Sequence, residues 1–129
     1  MTSFATFASF ATFDRSEFPK VKVIFSENIT DRNDFENFLS EWLQLYDDCK
    51  YFSFVFDTRN VSNINPKYSL LMSLFIKELK KRDIQYLTKS EIYVYNKFTK
   101  YLLDLIFNLQ KPVAPVHIYY DDEEIIINP

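Results

Sequence analysis

The stretch FVFDTRNVSNINPKYSLLMSLF, residues 54–75, decides the fold of this chain. Its first part is a continuous apolar run that ends at Asp57, which is typical of a strand covered on both faces of a sheet. A polar loop follows. Asn65 then offers a helix cap, and Pro66 suits the first helical position, where a missing N–H costs nothing. Because apolar residues recur beyond it at helical spacing, the stretch predicts a strand, a loop and a helix in succession.

The same alternation continues on both sides of this stretch. Strands are expected in the last residues before Arg15 and at residues 20–25, 51–57, 91–96 and 115–120, and helices at residues 30–48, 66–79 and 97–110. The order β-β-α-β-α-β-α-β predicts an α/β domain. Its sheet should be mainly parallel, with four to five strands, an N-terminal antiparallel hairpin strand and three crossover helices.

Composition excludes several classes of function. The chain has 129 residues, a net charge of −3 and no glycine. A nucleic-acid-binding face needs clustered basic residues, and phosphate-cradling loops and dinucleotide fingerprints need glycine, so none of these is expected. The single cysteine, Cys49, allows no internal disulfide. Since no signal peptide or membrane-spanning run is visible either, we expect a cytoplasmic protein without an integral membrane segment.

The N-terminus carries an internal repeat, SFATFASFATFD, at residues 3–14. Its phenylalanines fit neither helical nor strand spacing cleanly. We therefore expect residues 1–10 to form a separate Phe-rich segment, flexible or paired with a partner. Residues 11–129 are expected to form one domain.

The element order, the loop before Asn65 and the segment LQKPVAPVHIYYDDEE (residues 109–124) resemble the STAS domain of anti-sigma-factor antagonists. They resemble the lipid-binding Sec14 fold more loosely. The resemblance implies a regulatory domain whose second crossover helix begins at the partner site, where the family carries a phosphorylated serine. Here that position holds Lys67, between Pro66 and Tyr68. The resemblance thus implies a divergent STAS-like module without the phosphoserine switch.

Polar residues at the carboxyl ends of the predicted strands are candidates for a site, because ligands bind there in open parallel sheets. Asp57 and Arg59 follow one strand, and Asn96 and Lys97 follow the next. A hydrolase using Asp57 would resemble the Asp-x-Asp phosphatases, but Arg59 stands where the second carboxylate is needed. Asp57 is instead expected to accept N–H bonds in its own turn. With one histidine, His117, and one cysteine, no metal site or cofactor is predicted.

Two crossover helices carry a second apolar pair beside their main stripe. These pairs are Leu70 and Leu74 on the second helix, and Leu103 and Phe107 on the third. Each pair either widens the contact with the core or exposes apolar surface to a partner. The inward stripe of the third helix is predicted to be Phe98, Tyr101, Leu102, Leu105, Ile106 and Leu109.

The sequence predicts a non-enzymatic, STAS-like interaction or regulatory module that binds a protein partner or a second copy of itself. The alternative is a small-molecule or lipid binder with an apolar cavity beneath the crossover helices. The weaker alternative is a hydrolase using Asp57. The candidate binding residues are Asp57, Arg59, Asn65, Lys67, Tyr68, Leu70, Leu74, Asn96, Lys97, Leu103 and Phe107.

Overall fold

The computed structural model describes residues 10–129, and this part of the chain contains six strands and three helices. The strands are β1 (Ala11–Asp14), β2 (Lys20–Phe25), β3 (Phe52–Asp57), β4 (Leu87–Tyr93), β5 (Val116–Tyr120) and β6 (Glu123–Ile127). The helices are α1 (Arg32–Gln44), α2 (Lys67–Leu79) and α3 (Lys97–Leu109). The α/β class and the three crossover helices are confirmed.

Of the Phe-rich segment expected at residues 1–10, the structure describes only the last residue, Phe10. Residues 1–9, on which most of the expectation of a separate flexible segment falls, lie outside the described residues. Phe10 is buried, and its ring centroid lies 5.0 Å from that of Phe25 and 5.8 Å from that of Phe38. Phe10 therefore contributes to the core of the domain.

The sheet is mixed, and its six strands lie side by side in chain order. β2, β3, β4 and β5 pair in parallel, while β1 runs antiparallel to β2 and β6 runs antiparallel to β5. The prediction of a mainly parallel sheet with four to five strands was therefore wrong. The sheet has six strands, and its second edge strand, β6, is also antiparallel. The N-terminal hairpin strand is confirmed.

The strand that the sequence reading missed is β6, which forms a hairpin with β5. The two strands are joined by Asp121 and Asp122, with φ angles of 54° and 61°. A two-residue hairpin loop of the favoured twist needs positive φ at both positions, which glycine or asparagine usually supplies. In a chain without glycine, two aspartates occupy these positions, so the usual turn signal is absent.

All three helices cover the same face of the sheet. Neighbouring helices contact one another: the rings of Phe35 in α1 and Tyr68 in α2 lie 5.0 Å apart, and Ser69 Oγ donates to the Leu102 carbonyl in α3 at 3.0 Å. This is the expected result when parallel strands follow chain order with crossovers of one hand. The expectation that β3 is covered on both faces was therefore wrong, since β3 alternates buried and half-buried residues.

β4 begins at Leu87, four residues before the predicted start. Phe52 pairs with Leu87 and Phe54 with Ser90, so β4 has one more residue than β3 between these two pairs. Such a bulge breaks the period of two on which strand prediction depends. Leu87 and Ser90 consequently both face the core, although three positions separate them.

The helix starts follow the side-chain chemistry of their caps. Asp31 Oδ1 accepts the Asp34 N–H at 3.0 Å at the start of α1. At α2, Asn65 Oδ1 accepts the Lys67 N–H at 2.9 Å and Pro66 already has helical dihedrals, so the predicted start is right to within one residue. Each cap satisfies a backbone donor that has no partner within its helix.

The core between the helix layer and the sheet is rich in aromatic rings, with Trp42 near its centre. The Trp42 ring centroid lies 4.7 Å from that of Phe54, 5.4 Å from that of Phe75 and 5.9 Å from that of Phe38. All three pairs meet edge to face, which is a favoured geometry for aromatic pairs. Side chains of β3, α1 and α2 therefore meet at a single ring.

Candidate functional site

An apolar cavity of about 150 Å³ lies between the helix layer and the sheet. Each helix contributes to its wall, with Trp42 from α1, Met72 from α2 and Leu102 from α3. The floor is formed by side chains of the parallel strands, among them Phe56 of β3 and Ile92 of β4. The cavity thus occupies the position at which the sequence placed an apolar ligand site, as one of two alternatives.

The wall of this cavity carries no charged side chain among the described residues. Its polar groups besides a tyrosine hydroxyl are the indole N–H of Trp42 and four small hydroxyl residues, namely Thr58, Ser69, Ser90 and Thr99. An ionised group buried without a partner is strongly unfavourable in such surroundings. The wall is therefore suited to a neutral, mainly apolar occupant.

Two of these hydroxyl groups already have partners in the protein. Thr58 Oγ1 donates to the Tyr93 carbonyl at 2.6 Å, and Ser69 Oγ donates to the Leu102 carbonyl at 3.0 Å. The side chain of Thr99 differs. It is only 4% exposed, and its Oγ1, like Trp42 Nε1, has no hydrogen-bond partner within residues 10–129.

Asn96 fixes the position of Thr99 in the first turn of α3. Asn96 Oδ1 accepts the Thr99 N–H at 2.8 Å, while Asn96 Nδ2 donates to the Val61 carbonyl at 3.1 Å. Asn96 thereby joins the start of α3 to the loop after β3. This predicted site residue consequently acts as a positioning residue for the cavity wall.

Three other predicted site residues lie in the wall itself. Tyr68, Leu103 and Phe107 all line the cavity. Tyr68 is buried, whereas Leu103 and Phe107 are half-buried and belong to the α3 side, the least buried of the three helical walls. The structure therefore places the second apolar pair of α3 against the core and the cavity.

The predicted inward stripe of α3 was wrong at two of its positions. Tyr101 and Leu109 are 50% and 56% exposed, although both were expected to face the core. Leu102 is buried as expected, and Ile106 lines the cavity. The buried side of α3 is centred on Thr99 and Leu102, and the predicted stripe omitted Thr99.

The second apolar pair of α2 has the opposite environment. Leu70 and Leu74 are 51% and 50% exposed. Lys67 lies close to them along the helix, and its Nζ is 5.3 Å from the centre of the Tyr68 ring. Lys97 is exposed at the start of α3. These residues contribute to the outer surface of the helix layer.

The strand-end pair Asp57 and Arg59 forms a turn on its own. Asp57 Oδ1 accepts the Arg59 N–H at 2.9 Å, which confirms the turn role expected for this aspartate. The Arg59 guanidinium lies 5.2 Å from the centre of the Tyr95 ring and within 3.3 Å of its hydroxyl. The hydrogen bond to the Tyr95 hydroxyl, with the nearby Asp57 charge, raises the pKa of Arg59. This geometry favours a structural role for Asp57.

Thr99 is the residue of interest that the sequence reading missed. It precedes Leu102 by three positions, so a helical stripe centred on Leu102 includes it. A hydroxyl residue within that stripe, one turn after the capping Asn96, is the sequence signal that could have identified Thr99. That its hydroxyl has no partner within residues 10–129 depends on packing, which no sequence pattern reports.

No family model, no curated protein and no solved structure matches this chain. Within residues 10–129, no helix has both the length and the apolar character needed to cross a membrane. The same residues contain no group of three or more His, Cys, Asp or Glu side chains placed to hold a metal ion. The fold and the site together define an α/β domain with one helix layer over a mixed sheet and an apolar cavity between them.

Proposed function

We propose that this protein is a small, non-enzymatic binding domain that holds a neutral apolar molecule in the cavity beneath its crossover helices. The observation that carries the proposal is the uncharged wall around a volume of about 150 Å³. An apolar cavity of this size in another protein stays dry and takes up benzene. The expected ligand is therefore of benzene size, considerably smaller than a membrane lipid.

The energetics of packing support this proposal. Protein interiors are close-packed, with few voids larger than a water molecule. An unfilled apolar volume in the core destabilises the folded state, because the side chains around it lose packing contacts. A ligand that binds the folded state alone recovers stability as its concentration rises above Kd. Filling the cavity therefore provides a driving force for binding without any charged contact.

The STAS-like resemblance is compatible with this proposal. The domain would be a divergent module of that kind, in which the helix layer carries the function without a phosphoserine switch. The looser likeness to the Sec14 fold implies an apolar site beneath the helices. The position of the cavity beneath the helices supports an apolar site of this kind. This support does not depend on the STAS-like resemblance.

Calorimetric titration with toluene tests the proposal. The wild-type protein should bind toluene, while the cavity-filling variants Ala114→Leu and Ser90→Val should lose affinity about tenfold, because both positions lie in the wall. Leu74→Ser, a change on the outer surface, should leave the affinity unchanged. If toluene fails to bind the wild type, or binds the filled variants equally well, the cavity is not a ligand site.

A second candidate function is supported by the exposure of Leu70 and Leu74 on α2. In this proposal the outer surface of α2 binds a protein partner or a second copy of the chain, as apolar surface patches commonly do. Native mass spectrometry of the wild type and of the double variant Leu70→Ser/Leu74→Ser shows whether each protein is a monomer or a dimer. A dimer that is lost in the double variant supports this candidate, and a monomer in both cases contradicts the homodimer.

A further inference from the structure

We propose that the ligand of the cavity is a neutral, single-ring phenol or aromatic alcohol whose oxygen pairs with the Thr99 hydroxyl. This inference rests on the proposed function, since it assigns the chemical class of the molecule that the cavity holds. It is carried by a separate observation, the buried Thr99 Oγ1 that has no partner within the described chain.

Thr99 lies in the first turn of α3, so no complete helical turn precedes it to supply the carbonyl that a threonine hydroxyl deeper in a helix commonly bonds. Thr99 Oγ1 makes no hydrogen bond within residues 10–129, although the residue is only 4% exposed. Buried polar groups in native proteins are nearly always hydrogen-bonded, and an orphaned hydroxyl is destabilising. A partner supplied by a ligand accounts for its retention.

Two other hydroxyl groups of the wall are less suited to this role. The hydroxyl groups of Thr58 and Ser69 already donate to backbone carbonyls, so their single protons are committed. The Thr99 backbone is held by its own bond to Asn96 Oδ1, at 2.8 Å. Within residues 10–129, the Thr99 hydroxyl and the Trp42 indole N–H are the buried wall groups without a partner. The indole N–H can only donate, whereas the Thr99 hydroxyl can donate to a ligand oxygen or accept from a ligand O–H.

The wall excludes a charged oxygen and favours a ring. No basic side chain among residues 10–129 lines the cavity, so a carboxylate or phosphate would be buried there without a counter-charge. The rings of Trp42, Phe38 and Phe56 form part of the wall, and aromatic pairs gain from edge-to-face contacts. The volume of about 150 Å³ limits the ligand to one ring with a small polar group.

The test compares benzene with phenol by calorimetric titration of the wild-type protein, Thr99→Val and Thr99→Ser. Valine has the shape of threonine without the hydroxyl, and the backbone bond to Asn96 is retained in both variants. Thr99→Val should weaken phenol binding about tenfold and leave benzene binding within about twofold, as expected for the loss of one hydrogen bond. Thr99→Ser should retain most of the phenol affinity.

The possible results separate this inference from the proposed function. If Thr99→Val changes the affinities for benzene and phenol by the same factor, Thr99 does not select the ligand, while the cavity remains a binding site. If neither molecule binds the wild type, both the inference and the proposed function are wrong. Thermal unfolding of each variant without ligand serves as the folding control, and Thr99→Val should unfold at the same temperature as the wild type or higher.

Discussion

The second apolar pairs of α2 and α3 look alike in the sequence and differ in the structure. Leu70 and Leu74 are about half exposed, whereas Leu103 and Phe107 line the cavity. Both pairs have the same i, i+4 spacing beside a main stripe. The difference arises because Leu70 and Leu74 lie on the side of α2 opposite its buried residues, such as Met72 and Ile76. Leu103 and Phe107 instead flank the buried side of α3, which holds Thr99 and Leu102. The environment of an extra apolar pair therefore depends on its angle to the buried side of its helix.

The largest test of this comparison is to truncate one residue from each pair. Phe107→Ala should reduce the free energy of unfolding by about 2–3 kcal/mol, below the range for a fully buried phenylalanine because Phe107 is half-buried. Leu70→Ala should change it by less than about 0.5 kcal/mol. Urea unfolding measures both. Equal losses in the two variants would show that the pairs do not differ in environment.

Alkaline unfolding sharpens the contrast between buried and exposed groups. Tyr46 is buried after α1, where its hydroxyl donates to Gln85 Oε1, and burial raises the pKa of Tyr46 to about 12. An unfolded tyrosine ionises near pH 10, so the folded state retains this proton more tightly. The stabilisation of the folded state by this raised pKa is complete below pH 10. The free energy of unfolding should fall by about 2 kcal/mol as the pH rises to about 12.

Urea unfolding at several pH values between 9 and 12 measures this effect, with Tyr46→Phe as the matched variant. Phenylalanine cannot ionise, so the variant should lose less stability over the same range. An identical pH dependence in the two proteins would show that Tyr46 titrates normally in the folded state.

A smaller effect is expected at the two helix starts. Asn96 makes two side-chain hydrogen bonds, to the Thr99 N–H and the Val61 carbonyl, whereas Asn65 accepts one from the Lys67 N–H. Asn96→Ala should cost about 1–2 kcal/mol and Asn65→Ala about 0.5–1 kcal/mol. Thermal unfolding checks the order of the two.

Asn96→Asp provides the control for this pair of variants. Aspartate retains the capping oxygen and loses the amide donor to Val61, so its stability should lie between those of the wild type and Asn96→Ala. A larger loss for Asn65→Ala than for Asn96→Ala would contradict the role assigned to Asn96.

The elements that the sequence predicted well are those whose signals are local. β2 has the predicted bounds, α1 lies within its predicted range of residues 30–48, and α2 follows from Asn65 and Pro66. The elements that it misplaced depend on the neighbouring strand. The start of β4 is moved by a bulge against β3, and β6 follows a turn built from Asp121 and Asp122 in place of glycine.

The candidate site was predictable in outline and not in detail. An apolar space beneath the helices was one of two alternatives, and Tyr68, Leu103 and Phe107 were among the predicted residues. The orphaned hydroxyl of Thr99 was not predicted. Sequence patterns report which face of a helix is buried, whereas an unfilled volume and an unpaired group result from how three helices and a sheet pack together.

The central claim is that the apolar site of this domain lies inside the helix layer and not on its outer surface. A crystal structure of the protein soaked with iodobenzene tests it most directly, because the anomalous signal of iodine locates the bound ring. We predict an iodine peak inside the cavity, between Trp42 of α1 and the Leu103–Phe107 side of α3. A peak confined to the outer surface at Leu70 and Leu74, or an empty cavity at saturating iodobenzene, would contradict the claim.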